Sequence, residues 1–84
     1  MNTIHISKKA HKQLAKIPMP DRARIFTESK KLANMPNCTN VKALVNHDYS
    51  YRLRVGNYRV FFEFDGDVKI VWIEEVKKRD ENTY

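Results

Sequence analysis

Arg52, Arg54 and Arg59 are crowded into ten residues, YRLRVGNYRV, at 51–60. A guanidinium group binds phosphate through a planar fork of donors, so three close together suggest a site for a phosphodiester. Apolar residues alternate with the cations on either side of Gly56-Asn57, which predicts two strands joined by a two-residue turn. That turn pairs Val55 with Tyr58, Arg54 with Arg59, and Leu53 with Val60. Directly opposed like charges cost some tenths of a kcal/mol, up to about 1. An anion seated among them would offset that cost. Phe61 falls on the same strand face, where an aromatic ring is suited to stack on a base. The plainer alternative is a solvent-facing strand surface with its long side chains held apart.

The elements that must position these residues form one small domain, 1–84, with β-α-α-β-β-β order. TIHI at 3–6 alternates as a short strand, and Ser7 is placed to cap a helix running through KKAHKQLAKI. Ala10, Leu14 and Ile17 share its apolar stripe. After PMP at 18–20, a second helix puts Ile25, Phe26, Leu32 and Ala33 on one face, and Asn34 and Pro36 stop it. The helical hairpin spans about 7–34, the segment VKALVNHDY at 41–49 leads into the sheet with Leu44 as its core candidate, and a β-meander spans about 50–76. The tail is 77–84. The expected class is α+β, with the N-terminal strand and helical hairpin packed on one face of a small antiparallel sheet.

A three-residue turn at 65–67 predicts Phe64 opposite Val68, Phe62 opposite Ile70, Val60 opposite Trp72, and Glu63 opposite Lys69. The opposite face then carries Arg52, Arg54, Arg59, Phe61, Val71, Ile73 and Glu75, with Lys77 and Arg79 continuing the same parity. For Glu75 the simplest expectation is a salt bridge to one of the arginines.

The net charge is +6 and the pI about 9.6, which favours a polyanionic partner. The basic helix residues Lys8, Lys9, Lys12, Lys16, Arg22, Arg24, Lys30 and Lys31 suit either RNA phosphates or water. Cys38 is the only cysteine, which excludes an intrachain disulfide. There is no apolar leader and no run of membrane-spanning length, so a cytoplasmic protein without membrane contact is expected. His5, His11 and His47 are scattered over a strand, a helix and a loop. No His, Cys or carboxylate cluster has metal-ligand spacing, so no metal or other cofactor is expected.

YRLRVGNYRVFF, followed by a strand and KKRDENTY, resembles the RelE/ParE superfamily of bacterial toxins from type II toxin–antitoxin systems. The likeness runs nearly the whole chain. It implies helices on one sheet face and an open basic surface on the other. In the RelE-like branch, ribosome-dependent endonucleases cut mRNA in the A site of the 70S ribosome. Arg52 and Arg54 match that branch's two basic residues before the turn. Arg59 matches the arginine after the next strand's Tyr, Arg79 the arginine after the last strand, and Tyr84 a tail tyrosine. The catalytic set implied is Arg54, Arg59, Arg79 and Tyr84, with Arg52, Phe61, Lys77 and Lys78 binding RNA. Both paired positions, lysines in familiar RelE proteins, are arginine here. An arginine stabilises charge but does not readily accept a proton.

Metal-independent RNA cleavage uses the neighbouring 2′-OH as nucleophile. It needs a proton acceptor, stabilisation of the phosphorane-like state, and a proton for the departing 5′-oxygen. Arg59 and Arg79 suit the phosphate, and Phe61 or Tyr84 a base. Lys77, Lys78 and Tyr84 all stay open as the general base. The resemblance also implies a cognate acidic antitoxin encoded nearby and a toxin–antitoxin hetero-oligomer. Two other activities remain compatible with it: a ParE-like inhibitor of DNA gyrase without nuclease activity, and a degenerate non-toxic member.

Overall fold

The computed structural model describes residues 1–79. Its elements run β1 (Thr3–Ile6), α1 (Lys8–Ala15), α2 (Asp21–Lys30), a 3₁₀ turn (Lys31–Asn34), β2 (Val41–Ala43), β3 (Tyr51–Val55), β4 (Tyr58–Asp65) and β5 (Ile70–Lys78). The strands make one five-stranded sheet of order β1-β5-β4-β3-β2. The α+β class and helical hairpin are as the sequence implies. Two details of the sheet differ. β1 joins it as an edge strand parallel to β5, and the lead-in segment contributes a further edge strand, β2, antiparallel to β3.

Ser7 caps α1 as expected, its hydroxyl oxygen accepting from the Ala10 amide at 3.0 Å. The same hydroxyl donates to the Glu74 carbonyl at 2.9 Å, which ties the helix start to β5. β1 pairs with β5 only as far as Ile73. Beyond that point α1 takes over the exposed edge. The Gln13 side-chain carbonyl accepts from the Val76 amide at 2.6 Å. A buried strand amide left without such an acceptor would cost about 1–3 kcal/mol.

The core lies between the helices and one sheet face. Ala10 and Leu14 of α1, Ile25 of α2 and Leu32 meet Leu53, Val55, Tyr58, Val60, Phe62, Val71, Ile73 and Val76. Phe26 is at the surface, because the buried stripe of α2 runs through Ile25 and Ser29. Leu44 is only half-buried and stays outside the core, whereas Val41 packs against it.

The β3–β4 register is the one that the two-residue turn predicts, with Arg54 opposite Arg59 and Leu53 opposite Val60. Gly56 has φ +56°, and a Cβ there would stand 3.3 Å from the Arg24 guanidinium. Both the turn and the close approach favour glycine.

The β4–β5 register differs from expectation. The Asp65 carboxylate accepts from the amides of Asp67 and Val68, and Lys69 takes a positive φ of 58°. The turn thereby consumes Val68 and Lys69, and pairing starts at Asp65 opposite Ile70. Phe64 then meets Val71 and Phe62 meets Ile73, so Val71 and Ile73 belong to the core rather than to the arginine face. Past a β-bulge, Phe61 pairs with Glu75 and Arg59 with Lys77, leaving Glu74 as the extra residue. The bulge restores the parity that the longer turn had shifted, so Glu75 and Lys77 still reach the arginine face.

Candidate functional site: a basic sheet face

Strand alternation sends the odd-numbered core residues of β3 toward the helices and Arg52 and Arg54 to the other side. Register then lines up two rows across the sheet. One row runs Arg54, Arg59, Lys77, and the next runs Lys42, Arg52, Phe61, Glu75. Lys42, on an edge strand that the sequence did not reveal, is a cation that the sequence reading missed. At one end of these rows a depression of ≈ 170 Å³ is lined by Arg52, Arg54, Gly56, Asn57, Tyr58, Arg59 and Arg79. Arg79 is drawn in by its own backbone, whose amide donates to the Asn57 carbonyl at 2.6 Å. The cations of three chain segments therefore converge as the sequence predicts. Their mutual effect is visible at Arg59: burial, then the charges of Arg52, Arg79 and Arg54, pull its guanidinium below its ordinary pKa. The Arg52 Nε is buried without a hydrogen-bond acceptor among the described residues.

Phe61 is placed on this face but is not an open platform. It is 6% exposed, and the loop between β2 and β3 folds over it. His47 stacks on it at 5.0 Å between centroids and 19° between planes, and Tyr49 at 5.5 Å and 27°. The stacking role expected of Phe61 is therefore closed to it. Lys78 also leaves the set, because it pairs with Tyr58 and so takes the helix side of the sheet. Tyr84 lies outside the described residues.

Glu75 pairs with lysines rather than with an arginine. Its carboxylate lies 3.5 Å from the Lys9 ammonium and 3.6 Å from that of Lys77. It also accepts from the Tyr49 phenol at 2.8 Å and the Gln13 amide at 3.5 Å. Burial works against its charge, but the Tyr49 phenol, Lys77, Lys9 and Gln13 outweigh burial and hold it below the usual carboxylate range. The hydrogen bond to Glu75 and then burial push the Tyr49 phenol up to about 12, which keeps it protonated at neutral pH. Tyr49 is thus a donor and not a base.

The loop 44–50 holds its own shape. Leu44 donates its amide to the Ser50 carbonyl at 2.8 Å, and the Tyr49 amide donates to His47 Nδ1 at 3.1 Å. The Ser50 amide donates to the Glu63 carboxylate at 2.7 Å, and the Ser50 hydroxyl bonds the same group. His47, which the sequence places only in a loop before the sheet, thus lies over the basic face. Aromatic residues in the otherwise polar NHDY were the one signal for this. Among the described residues, no group of three or more His, Cys, Asp or Glu is placed to hold a metal, and no helix is long and apolar enough to cross a membrane.

The family model for the ParE toxin of type II toxin–antitoxin systems, parDE, matches residues 4–83. The chain belongs to this toxin family. Solved structures place the ParE-family chain beside RelE toxins in fold. The RelE–RelB complex of Pyrococcus horikoshii matches with a TM-score of 0.79 at 25% identity, over 95% of this chain and 97% of that one. The RelBE2 toxin–antitoxin complex of Mycobacterium tuberculosis matches with a TM-score of 0.79 at 23% identity, over 93% and 98%. The isolated RelE toxin of E. coli matches with a TM-score of 0.80 at 14% identity, over 99% and 89%. No curated protein matches the chain.

Proposed function

We propose that this toxin is a ribosome-dependent mRNA endonuclease, acting without a metal, and that it arrests growth by blocking translation. The observation that carries the reading is the convergence of Arg52, Arg54, Arg59 and Arg79 on one depression. A scissile phosphate seated there places its developing negative charge among fixed cations in a partly buried site, where electrostatic stabilisation is strongest. The 2′-oxygen attacks phosphorus, its proton passes to a base, and the P–O5′ bond breaks with protonation of the departing oxygen. Arg54, Arg59 and Arg79 stabilise the phosphorane-like state, and Arg52 and Lys77 bind flanking phosphates. Tyr49 does not serve as the base, since its phenol is tied to Glu75. Lys77 and Tyr84 remain the candidates, and Lys77 would first have to part from Glu75. The ribosome supplies much of the positioning that a face this open does not.

An acidic antitoxin, encoded nearby and assembled with the toxin in a hetero-oligomer, is the partner. The two matched complexes with RelB-type antitoxins and the +6 charge of the chain support this. The test is to induce the protein and its Arg59→Ala variant in bacteria and map transcript 5′ ends during arrest. New ends within translated reading frames, present with wild type and lost in the variant, are expected. Growth arrest with intact transcripts would overturn the nuclease.

A second reading has its own observation, the match to the family model for the ParE toxin. In that reading the arginine face docks on DNA gyrase. Its mark in the same experiment is a DNA-damage response without new transcript ends.

A further inference from the structure

We infer that His47, held flat over Phe61 by the 44–50 loop, is a stacking ledge for a nucleobase of single-stranded RNA next to the arginine depression. This rests on the endonuclease reading and adds to it a base-binding subsite.

Three observations support the ledge. First, its position: Phe61 pairs directly with Arg52 and lies two residues along β4 from Arg59 on the same face. Two strand residues span about 7 Å, so a nucleotide whose phosphate lies among the arginines has an adjacent base in reach of the ring above Phe61. Second, the ledge is built. His47 is exposed, yet its ring is fixed beneath by Phe61 and at its edge by the Tyr49 amide. Tyr49 is fixed in turn by Glu75. An exposed ring ordered in advance spends little entropy on stacking. Third, the chemistry fits. Because Nδ1 accepts from Tyr49, the neutral imidazole carries its proton on Nε2 and keeps a donor for a base edge or a phosphate oxygen. Phe61 gives the ledge an apolar foundation but is itself covered, so an incoming base meets the imidazole.

The experiment uses the full chain and a short RNA with 2′-O-methyl riboses, which block cleavage, and one 2-aminopurine, whose fluorescence is quenched by stacking. Moving the 2-aminopurine along the RNA locates the subsite. With wild type, one position is expected to be quenched strongly. His47→Ala should abolish that quenching and weaken binding roughly tenfold, a typical loss for one base–aromatic stack. His47→Phe should restore both, and circular dichroism of the two variants checks that the fold is kept. An RNA abasic at that position should bind wild type as weakly as the intact RNA binds His47→Ala. If Arg59→Ala weakens binding while His47→Ala and the abasic RNA change nothing, the ledge is overturned and the endonuclease reading survives. If the wild-type chain does not bind the free RNA at all, the ledge is overturned, while the ribosome-dependent endonuclease stands or falls on the map of transcript ends.

Discussion

The two faces of the sheet are made by the same strands and obey opposite rules. On the helix side, Leu53, Val60, Phe62 and Val71 are closed in by Leu14, Ile25 and Leu32, and Val60, Phe62 and Val71 have no exposed surface. Like residues meet there and the contact stabilises the fold. On the other side, Arg54 is set against Arg59, and Arg59 against Lys77. Like charges meet there and the contact opposes folding. One face holds the molecule together, and the other gathers like charges into a surface suited to an anionic ligand. Regions that bind are often less stable than the scaffold beneath them for this reason.

The largest expected effect tests the stable face. Phe62→Ala should cost about 3–5 kcal/mol, since the side chain is fully buried and a cavity would remain. Urea denaturation reads this directly. A loss below about 1 kcal/mol would mean that the core is looser than the packing indicates. Arg59→Ala provides the contrast. It should leave stability within about 0.5 kcal/mol of wild type, while RNA binding weakens and its salt dependence becomes shallower.

Next in size is the polar cluster that crosses between the regions. Tyr49→Phe removes a hydrogen bond to a buried carboxylate and should cost roughly 1–3 kcal/mol at neutral pH. The pH dependence has two limbs of opposite sign. The Tyr49 phenol is raised in the folded state, so its contribution is complete below the ordinary value of 10.0 and disappears as the pH climbs through about 12. Glu75 is held below the ordinary 4.5, so its contribution is complete above that value and fades as the pH falls through the lower folded value. Denaturation midpoints across pH should therefore show the gap between wild type and Tyr49→Phe closing at the alkaline end. A Glu75→Gln variant should lose the acid limb instead.

The smallest effect sharpens the comparison most. Arg54→Glu places opposite charges across from each other and should raise stability by about 0.5–1 kcal/mol while weakening RNA binding. A variant more stable than its parent and poorer at its task would show that the repulsion is kept for the ligand. A destabilised Arg54→Glu would argue that the arginines are already compensated within the chain.

The first hairpin was legible because Gly-Asn between alternating segments admits few turns, and register follows from the turn. Once Arg54 and Arg59 were opposed, most of the basic face followed. The second hairpin was not legible in the same way. Its turn is shaped by an Asp65 side chain acting on backbone amides and by a lysine at positive φ, and neither has a composition signal as strong as glycine's. The bulge at Glu74 was equally silent, with no Gly or Pro to mark it. Arg79 was placed correctly by parity only because these two unseen irregularities offset each other. The cover over Phe61 was missed for a different reason. The 44–50 loop has no period, and which rings it lays on the sheet depends on contacts with Glu75 and Glu63, far away in sequence.

That extra residue in β5 works as a phase shifter for the strand. Upstream of Glu74, alternate side chains insert Val71 and Ile73 under the helices, and downstream the count restarts so that Val76 goes under while Lys77 comes out. Excising Glu74 would flatten the bulge yet leave Ile73 and Val76 inward and Glu75 and Lys77 outward, in plain alternation. Drawing Glu74 into the ladder without the bulge would instead turn the distal strand over, bring Val76 up among the guanidinium groups, press Lys77 into the hydrocarbon layer, and cancel the electrostatics of the whole surface without a change to any arginine.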